Sequence, residues 1–280
     1  LSGGAYYGSW ILSHSIPEEQ MNAIRNCKFV WISHGHPDHL SQESLAMLRH
    51  KIILLPDHVG KRIYTDLKTE GYQVYIMKDR VWQRLSDHIS IMCISDYNQD
   101  AILLLNIHGR LIVNTNDAFD HGWFPYIKKI IKNYKISFQL SLSGFGDVDM
   151  INFFNEDGSF VVPLAAKKLP VGREIALKLK ASGCRYFIPF SSMHRYQRED
   201  SLWANQYVTS LSDYGVGFNS KSGELLPAFI RWDCLNDHLE TTEPLPTRAK
   251  AIDPKAFGDD WGALLEPSDF IKASTYFKGI

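Results

Sequence analysis

The sequence predicts an α/β fold with α+β character, on three observations. Strands and helices alternate over residues 28–77, which is typical of parallel strands joined by helices. Consecutive short strands follow over residues 81–114, the pattern of an antiparallel meander. Helices and single apolar strands then return over residues 123–211. Helices and strands therefore mix along most of the chain.

Apolar runs bounded by polar or glycine residues predict the strands, and capping or acidic residues mark the helix starts. The predicted strands are residues 29–32, 51–55, 72–77, 81–85, 88–94, 101–107, 111–114, 136–142 and 184–189. The predicted helices are residues 16–26, 42–50, 59–70, 123–133, 173–182 and 201–211. Ser41 is predicted to cap the second helix, Gly183 to end the fifth, and His108 and Gly109 to form a hairpin turn. Residues 1–10 are predicted to form a loop.

The composition limits the expected partners. The chain has 280 residues, 45% of them hydrophobic, a net charge of −1 and a pI near 6.9. It contains no basic block, so neither nucleic acid nor an anionic membrane is an expected partner. We see no apolar run long enough to span a membrane and no signal peptide, and expect a cytoplasmic protein with a small-molecule substrate. The oligomeric state is left open.

The four cysteines are widely spaced and form no C-x-x-C or C-x-H pair. Iron–sulfur clusters and structural zinc sites need such pairs, so the sequence gives no support to either. A different metal-binding pattern follows the first predicted strand, where His34, His36, Asp38 and His39 form an H-x-H-x-D-H motif. Imidazole and carboxylate groups at this spacing suit a zinc or iron site. A loop at the end of a buried strand also leaves such a site open to substrate.

This motif resembles the metallo-β-lactamase superfamily. Other segments resemble the metal-binding domain of CMP-N-acetylneuraminate hydroxylase and its bacterial relatives, and the wider group that contains the lactonase UlaG. They are residues 1–5 with Trp10, 108–117, 188–190 and 258–261. The resemblance implies an αββα sandwich of two mixed sheets flanked by helices, with residues 1–110 and 111–235 forming one sheet each.

The resemblance also implies a domain over residues 1–235 and a C-terminal tail over residues 236–280 that packs on it. The chain begins at Leu1 without a methionine, which is consistent with N-terminal strands of that domain lying upstream. No substrate-binding residue is assigned.

The remaining metal ligands are expected at strand ends elsewhere. The resemblance implies that Asp117 bridges two metal ions and that His194 supplies the last histidine. The alternatives are a turn cap for Asp117 and a surface position for His194. Asp96 stands where the superfamily usually has a histidine. It is either a ligand that favours harder metals or a turn residue.

The resemblance implies two divalent metal ions, with zinc as the first expectation and iron or manganese as alternatives. The leading hypothesis is a hydrolase that directs a metal-activated hydroxide at an ester, lactone or phosphodiester. Asp38 would be its catalytic residue and would orient the hydroxide or pass on a proton. The alternatives are an iron-dependent oxidoreductase acting on a sugar nucleotide or related small molecule, and a non-catalytic binding module.

Overall fold

The structure, a computed structural model, describes residues 4–6, 8–145, 155–159, 161–162, 164–167, 169–191, 193–257 and 264–278. Residues 1–3 and 258–261, which carry part of the resemblance, lie outside the described residues. The strands are β1 (Trp10–Leu12), β2 (Phe29–Trp31), β3 (Ile52–Leu55), β4 (Gln73–Ile76), β5 (Gln83–Arg84), β6 (Ile89–Ser95), β7 (Ala101–Ile107), β8 (Arg110–Asn116), β9 (Ile136–Leu142), β10 (Tyr186–Phe190), β11 (His194–Tyr196), β12 (Glu224–Leu225), β13 (Ile230–Asp233) and β14 (His238–Thr241). The helices are α1 (Glu18–Asn26), α2 (Gln42–Met47), α3 (Arg62–Thr69), α4 (Phe124–Ile131), α5 (Val171–Ser182) and α6 (Pro267–Lys278).

Within the described residues, the smaller sheet has three parallel strands in the order β2-β3-β4. Helices α2 and α3 connect these strands, so the predicted strand–helix alternation is confirmed. Ser41 caps α2 as predicted, because its Oγ accepts a hydrogen bond from the backbone N–H of Ser44 at 3.3 Å. Leu45 of α2 and Leu67 of α3 are buried in one apolar cluster with residues of this sheet. The two helices therefore cover one face of the sheet.

The larger sheet has seven strands within the described residues, in the order β12-β10-β9-β8-β7-β6-β5. It is mixed, because β5 to β8 are antiparallel while β8, β9, β10 and β12 are parallel. The predicted turn between β7 and β8 is confirmed, with φ of 48° at His108 and 78° at Gly109. Positive φ at both central residues is the geometry that a two-residue hairpin turn requires.

The two sheets pack face to face between two layers of helices. Leu54 of β3 and Met77 after β4 are buried in one apolar cluster with Ile91 and Cys93 of β6. This cluster joins the two sheets. On the opposite face of the larger sheet, α4 and α5 bury their apolar side chains against β6, β7, β8 and β10. The order of layers is helices, sheet, sheet, helices. The predicted αββα architecture is therefore confirmed.

The boundary predicted between the two sheets, at residue 110, was wrong. The three-stranded sheet ends at Ile76, and residues 83–107 join the larger sheet instead of the smaller one. The tight β7–β8 hairpin explains this, because it pairs the whole meander with β8. The smaller sheet is also purely parallel, since each of its connections is a helix crossover.

Two local predictions were also wrong. The predicted loop over residues 1–10 ends in strand β1, which begins at Trp10, because β1 pairs with β11, which is distant in sequence. Residues 201–211 form a short 3₁₀ turn, Leu202–Gln206, instead of an α-helix. The Asn205 side chain accepts from the N–H of Tyr196 and donates to its carbonyl, at 2.9 and 2.8 Å. These bonds hold the segment against β11 in place of a regular helix.

The C-terminal part contains regular structure that the sequence did not predict. Strands β13 and β14 form an antiparallel pair that spans residue 235, where the tail was predicted to follow the domain. Trp232 and Leu239 of this pair pack on Phe138 and Tyr186 of the larger sheet. The division at residue 235 stays a prediction. Across the described ranges, no helix is long and apolar enough to cross a membrane.

Candidate metal centre

The H-x-H-x-D-H motif forms a compact turn at the carboxyl end of β2. The carbonyl of His36 accepts hydrogen bonds from the N–H groups of His39 and Leu40, at 2.9 and 2.8 Å. Pro37, whose fixed φ suits the start of such a turn, follows His36 directly. The turn folds the second half of the motif back over the first. Local backbone geometry thus brings all four candidate ligands of the motif to one place.

Asp117 reaches the same place from the end of β8 in the other sheet. The β8–β9 register shifts between Asn114 and Asn116, and Asn116 has a φ of 35°. Asparagine tolerates such a left-handed conformation, and its Nδ2 here donates to the carbonyl of Ala101 at 2.7 Å. Irregularities of this kind re-aim side chains at the ends of strands. Asp117 follows directly and points toward the histidine loop.

His34, His36 and Asp117 form the first group of candidate ligands, whose donor atoms all lie within 4.8 Å of one another. Nε2 of His34 lies 2.8 Å from Nδ1 of His36 and 3.9 Å from Oδ2 of Asp117. His34 is buried, while Asp117 is half-buried. The group therefore combines two ring nitrogens and one carboxylate at the floor of an accessible site.

Asp38, His39 and Asp117 form the second group within the same limit. Nε2 of His39 lies 3.3 Å from Oδ2 of Asp38 and 3.2 Å from Oδ2 of Asp117. Burial opposes a charge on His39, but hydrogen bonds with Asp117 and Asp38 outweigh it and raise the pKa of His39 to about 10. Burial likewise opposes ionisation of Asp38, yet its hydrogen bonds with His39 and Tyr6 lower its pKa to about 2. The carboxylates of Asp38 and Asp117 thus favour a positive charge on His39.

The donor atoms fit a pair of divalent metal ions. Asp117 belongs to both groups, so one carboxylate can bridge two ions. One group offers two nitrogens and one oxygen, and the other offers one nitrogen and two oxygens. Zinc and iron both accept such mixed sets, and three protein ligands leave room for water or substrate. A metal needs neutral His39, so binding would release a proton at neutral pH.

Sequence reasoning missed the residues that orient the ligands. Oδ1 of Asp100 lies 3.2 Å from Nδ1 of His34, and Oγ of Ser33 lies 2.9 Å from the same nitrogen. Ser33 Oγ also lies 3.4 Å from Nδ1 of His39. A carboxylate on one ring nitrogen leaves the other for the metal and fixes the ring orientation. No spacing in the sequence pairs Asp100 with His34, because the two residues lie in loops that follow strands of different sheets.

Asp96 lies outside both groups of candidate ligands within the described part of the chain. Its Oδ1 accepts a hydrogen bond from the N–H of Asn98 at 2.9 Å, as in an Asx turn. Its Oδ2 lies 2.8 Å from Nε2 of His121. These contacts are those of a turn residue that lies beside a histidine. A role as a metal ligand stays a prediction.

His194 also lies outside the two groups, as far as the described residues show. Its ring stacks on Trp10, with centroids 3.7 Å apart and planes inclined by 13°. Strand pairing between β1 and β11 brings the two rings together. A metal-binding role for His194 stays a prediction.

A cavity of about 620 Å³ opens beside the second group. Asp38 and His39 form part of its wall, together with Ser191 and His194. Ser191 Oγ donates to Oδ1 of Asp117 at 3.5 Å, which links the wall to the shared carboxylate. The candidate metal centre therefore borders a space large enough for a small-molecule ligand.

Sequence comparison identifies relatives of this chain. It is 31% identical over 137 residues to cytidine monophosphate-N-acetylneuraminic acid hydroxylase of Danio rerio. This relative is of the hydroxylase family that several segments of the sequence resemble. The match covers 45% of this chain and 23% of the relative, so the chain spans about a quarter of that protein's length. No protein-family model matches the sequence.

Two solved structures are similar to part of this chain. The metallo-β-lactamase fold protein YhfI from Bacillus subtilis is 11% identical, with a TM-score of 0.41, and the match covers 76% of this chain and 81% of YhfI. CmlA, a diiron β-hydroxylase from Streptomyces venezuelae, is 14% identical, with a TM-score of 0.37 and coverage of 58% and 35%. At these scores, neither similarity carries a functional assignment.

Proposed function

We propose that this chain is a metal-dependent hydrolase that cleaves an ester, lactone or phosphodiester bond in a small molecule. One observation carries the proposal. Two three-residue ligand groups share Asp117, and the group with Asp38 and His39 opens onto a cavity. Shared carboxylates between two cations are a recurrent arrangement in hydrolytic sites. The site therefore combines candidate ligands for two ions with an adjacent cavity large enough for a small substrate.

Each ligand has a defined place in the proposal. His34 and His36 would hold one ion, Asp38 and His39 the other, and Asp117 both. Zinc is the first choice, with iron and manganese as alternatives, because nitrogen and carboxylate ligands suit all three. When bound, such ions lower the pKa of a water molecule and stabilise negative charge on a reacting oxygen.

Asp38 is proposed to orient the attacking water. The hydroxyl of Tyr6 donates to its Oδ1 at 2.8 Å, so the carboxylate is fixed at the edge of the cavity. Its pKa of about 2 makes it a weak general base at neutral pH. Asp38 is therefore better suited to binding a metal ion and accepting a hydrogen bond from water than to taking up a proton.

An iron-dependent oxidoreductase is the second candidate. The sequence match to a hydroxylase favours it, and so does the presence of two carboxylates among the five ligands of the two groups. Carboxylate-rich sites suit iron. Its substrate would be a sugar nucleotide or a related small molecule, in line with the name of the relative.

Metal content and turnover would separate these candidates. The protein would be purified without oxygen, and zinc, iron and manganese per chain would be measured before assays with ester, lactone and phosphodiester panels. The hydrolase proposal expects about two ions per chain and hydrolysis that a chelator abolishes. Iron with oxygen uptake, in the presence of a reductant and a sugar nucleotide, would favour the oxidoreductase instead.

His36→Ala and His50→Ala form a matched pair for this test. His36 is a candidate ligand, whereas His50 is exposed after α2. We expect His36→Ala to lose metal and turnover with the fold intact by circular dichroism, and His50→Ala to keep both. Equal activity in the two variants would contradict the proposal. A protein that takes up no metal would be a binding module.

A further inference from the structure

The cavity beside the candidate metal centre has two chemically different sides. The polar side carries Asp38 and His39, which belong to the second ligand group. The apolar side is formed by side chains from separate strands and loops. They are Trp10, Ile11, Leu12, Leu140, Ile188, Phe190, Phe229 and Ile230. A ligand that fills this space would meet both candidate metal ligands and a largely apolar surface.

The apolar side is built into the fold. Ile188 of β10 and Leu140 of β9 are neighbours in the parallel register of the larger sheet. Ile230 of β13 packs in the same apolar cluster as these two residues. Side chains in a packed cluster keep their positions, so this surface is formed before a ligand binds.

The charge of the wall argues against a strongly anionic ligand in the apolar part. Among the described residues that line the cavity, none is a lysine or an arginine. Phosphate and carboxylate groups are usually held by such cations or by backbone N–H groups. Burying a charge against apolar side chains without a partner is costly, whereas burying methylene groups is favourable.

We propose that this cavity binds an aliphatic acyl group, and that the carbonyl of that acyl group lies beside Asp38 and His39. The inference rests on the proposed hydrolase and narrows its substrates to esters or lactones of such acids. In the reaction, the oxygen of water bonds to the acyl carbon, and the bond from that carbon to the ester oxygen breaks. The ester oxygen takes one proton of the water, so an ester gives a free alcohol and the carboxylic acid, whereas a lactone opens to a single hydroxy acid.

The first test compares ester substrates of different acyl chain length, assayed with the metal-loaded protein. Each buried methylene group contributes roughly fourfold in affinity at most, so p-nitrophenyl octanoate should exceed p-nitrophenyl acetate by about tenfold or more in kcat/KM. Ala228 lines the cavity, and Ala228→Phe would fill part of it. This variant should lower the ratio of octanoate to acetate kcat/KM by about tenfold.

Ala181→Phe is the matched control, because Ala181 is exposed on α5, away from the residues that line the cavity. The same substitution there should leave the ratio unchanged. Equal kcat/KM for the two esters in the unaltered protein would overturn the inference and leave the proposed hydrolase standing. A ratio that falls equally in both variants would also overturn it.

A binding measurement separates the inference from the reaction. Calorimetric titration of the metal-loaded protein with sodium octanoate should show saturable binding that Ala228→Phe weakens and Ala181→Phe does not. If octanoate binds in this way but no ester is hydrolysed, the acyl site stands and the hydrolase fails. If cytidine monophosphate binds and octanoate does not, the cavity takes an anionic nucleotide and the inference is overturned.

Discussion

Two regions contribute side chains to the site, and they are held in place by different means. The loop after β2 supplies His34, His36, Asp38 and His39 within one short turn. The region around His194 depends on pairing between β1 and β11, which are far apart in sequence. The loop residues enter the two ligand groups, whereas His194 lines the cavity. In this molecule a local turn gathers the candidate ligands, and long-range pairing builds part of the cavity wall.

Asp117 is an exception to this division, because it comes from a distant strand and still belongs to both ligand groups. Its replacement should therefore have the largest effect. Asp117→Ala removes the shared carboxylate, so we expect loss of both ions and a fall in kcat/KM on the order of 1,000-fold. Elemental analysis and ester hydrolysis would measure this. Asp87→Ala, at an exposed carboxylate, is the control. Full metal content in Asp117→Ala would break the comparison.

His36→Gln and His194→Gln test the difference between the regions directly. We expect His36→Gln to lose most of its metal, because it removes a ligand nitrogen. His194→Gln should keep most of its metal and raise KM, because the Trp10 stack at the cavity wall is disturbed. Equal metal loss in the two variants would return His194 to the set of ligands that the sequence predicted.

Asp100→Asn and Asp96→Asn should give smaller effects that differ from each other. Asp100 contacts His34, so its replacement is expected to weaken metal affinity by about 10- to 100-fold. Asp96 pairs with His121 and the turn at Asn98, so its replacement should lower stability by about 1 kcal/mol and leave metal affinity unchanged. Titration of metal into apoprotein and urea unfolding would measure both. A larger metal effect for Asp96→Asn would favour the ligand role.

The features that sequence predicted well depend on neighbours along the chain. The strand–helix alternation, the Ser41 cap and the His108–Gly109 turn each depend on residues a few positions apart. The turn that gathers the histidine loop also lies within one segment, while the role of its side chains as metal ligands stays a prediction. Hydrophobic periodicity and capping chemistry act over this range.

The features that sequence did not predict depend on partners far along the chain. Strand β1 forms because β11 pairs with it, and Asp100 approaches His34 because two sheets pack face to face. The short turn at residues 202–206 replaces a helix because Asn205 bonds to β11. Such contacts override local propensity, and no pattern within either segment encodes them.

The pairing of β1 with β11 limits the order in which parts of the molecule can fold during synthesis. The ribosome makes Trp10 before any strand of the larger sheet, but its stacking partner His194 emerges only after most of that sheet. All residues of the two ligand groups precede α4, so they are available well before that stack can form. A nascent chain therefore has every ligand of the centre before it has a closed cavity wall. Release of the late strands is the step that completes the pocket.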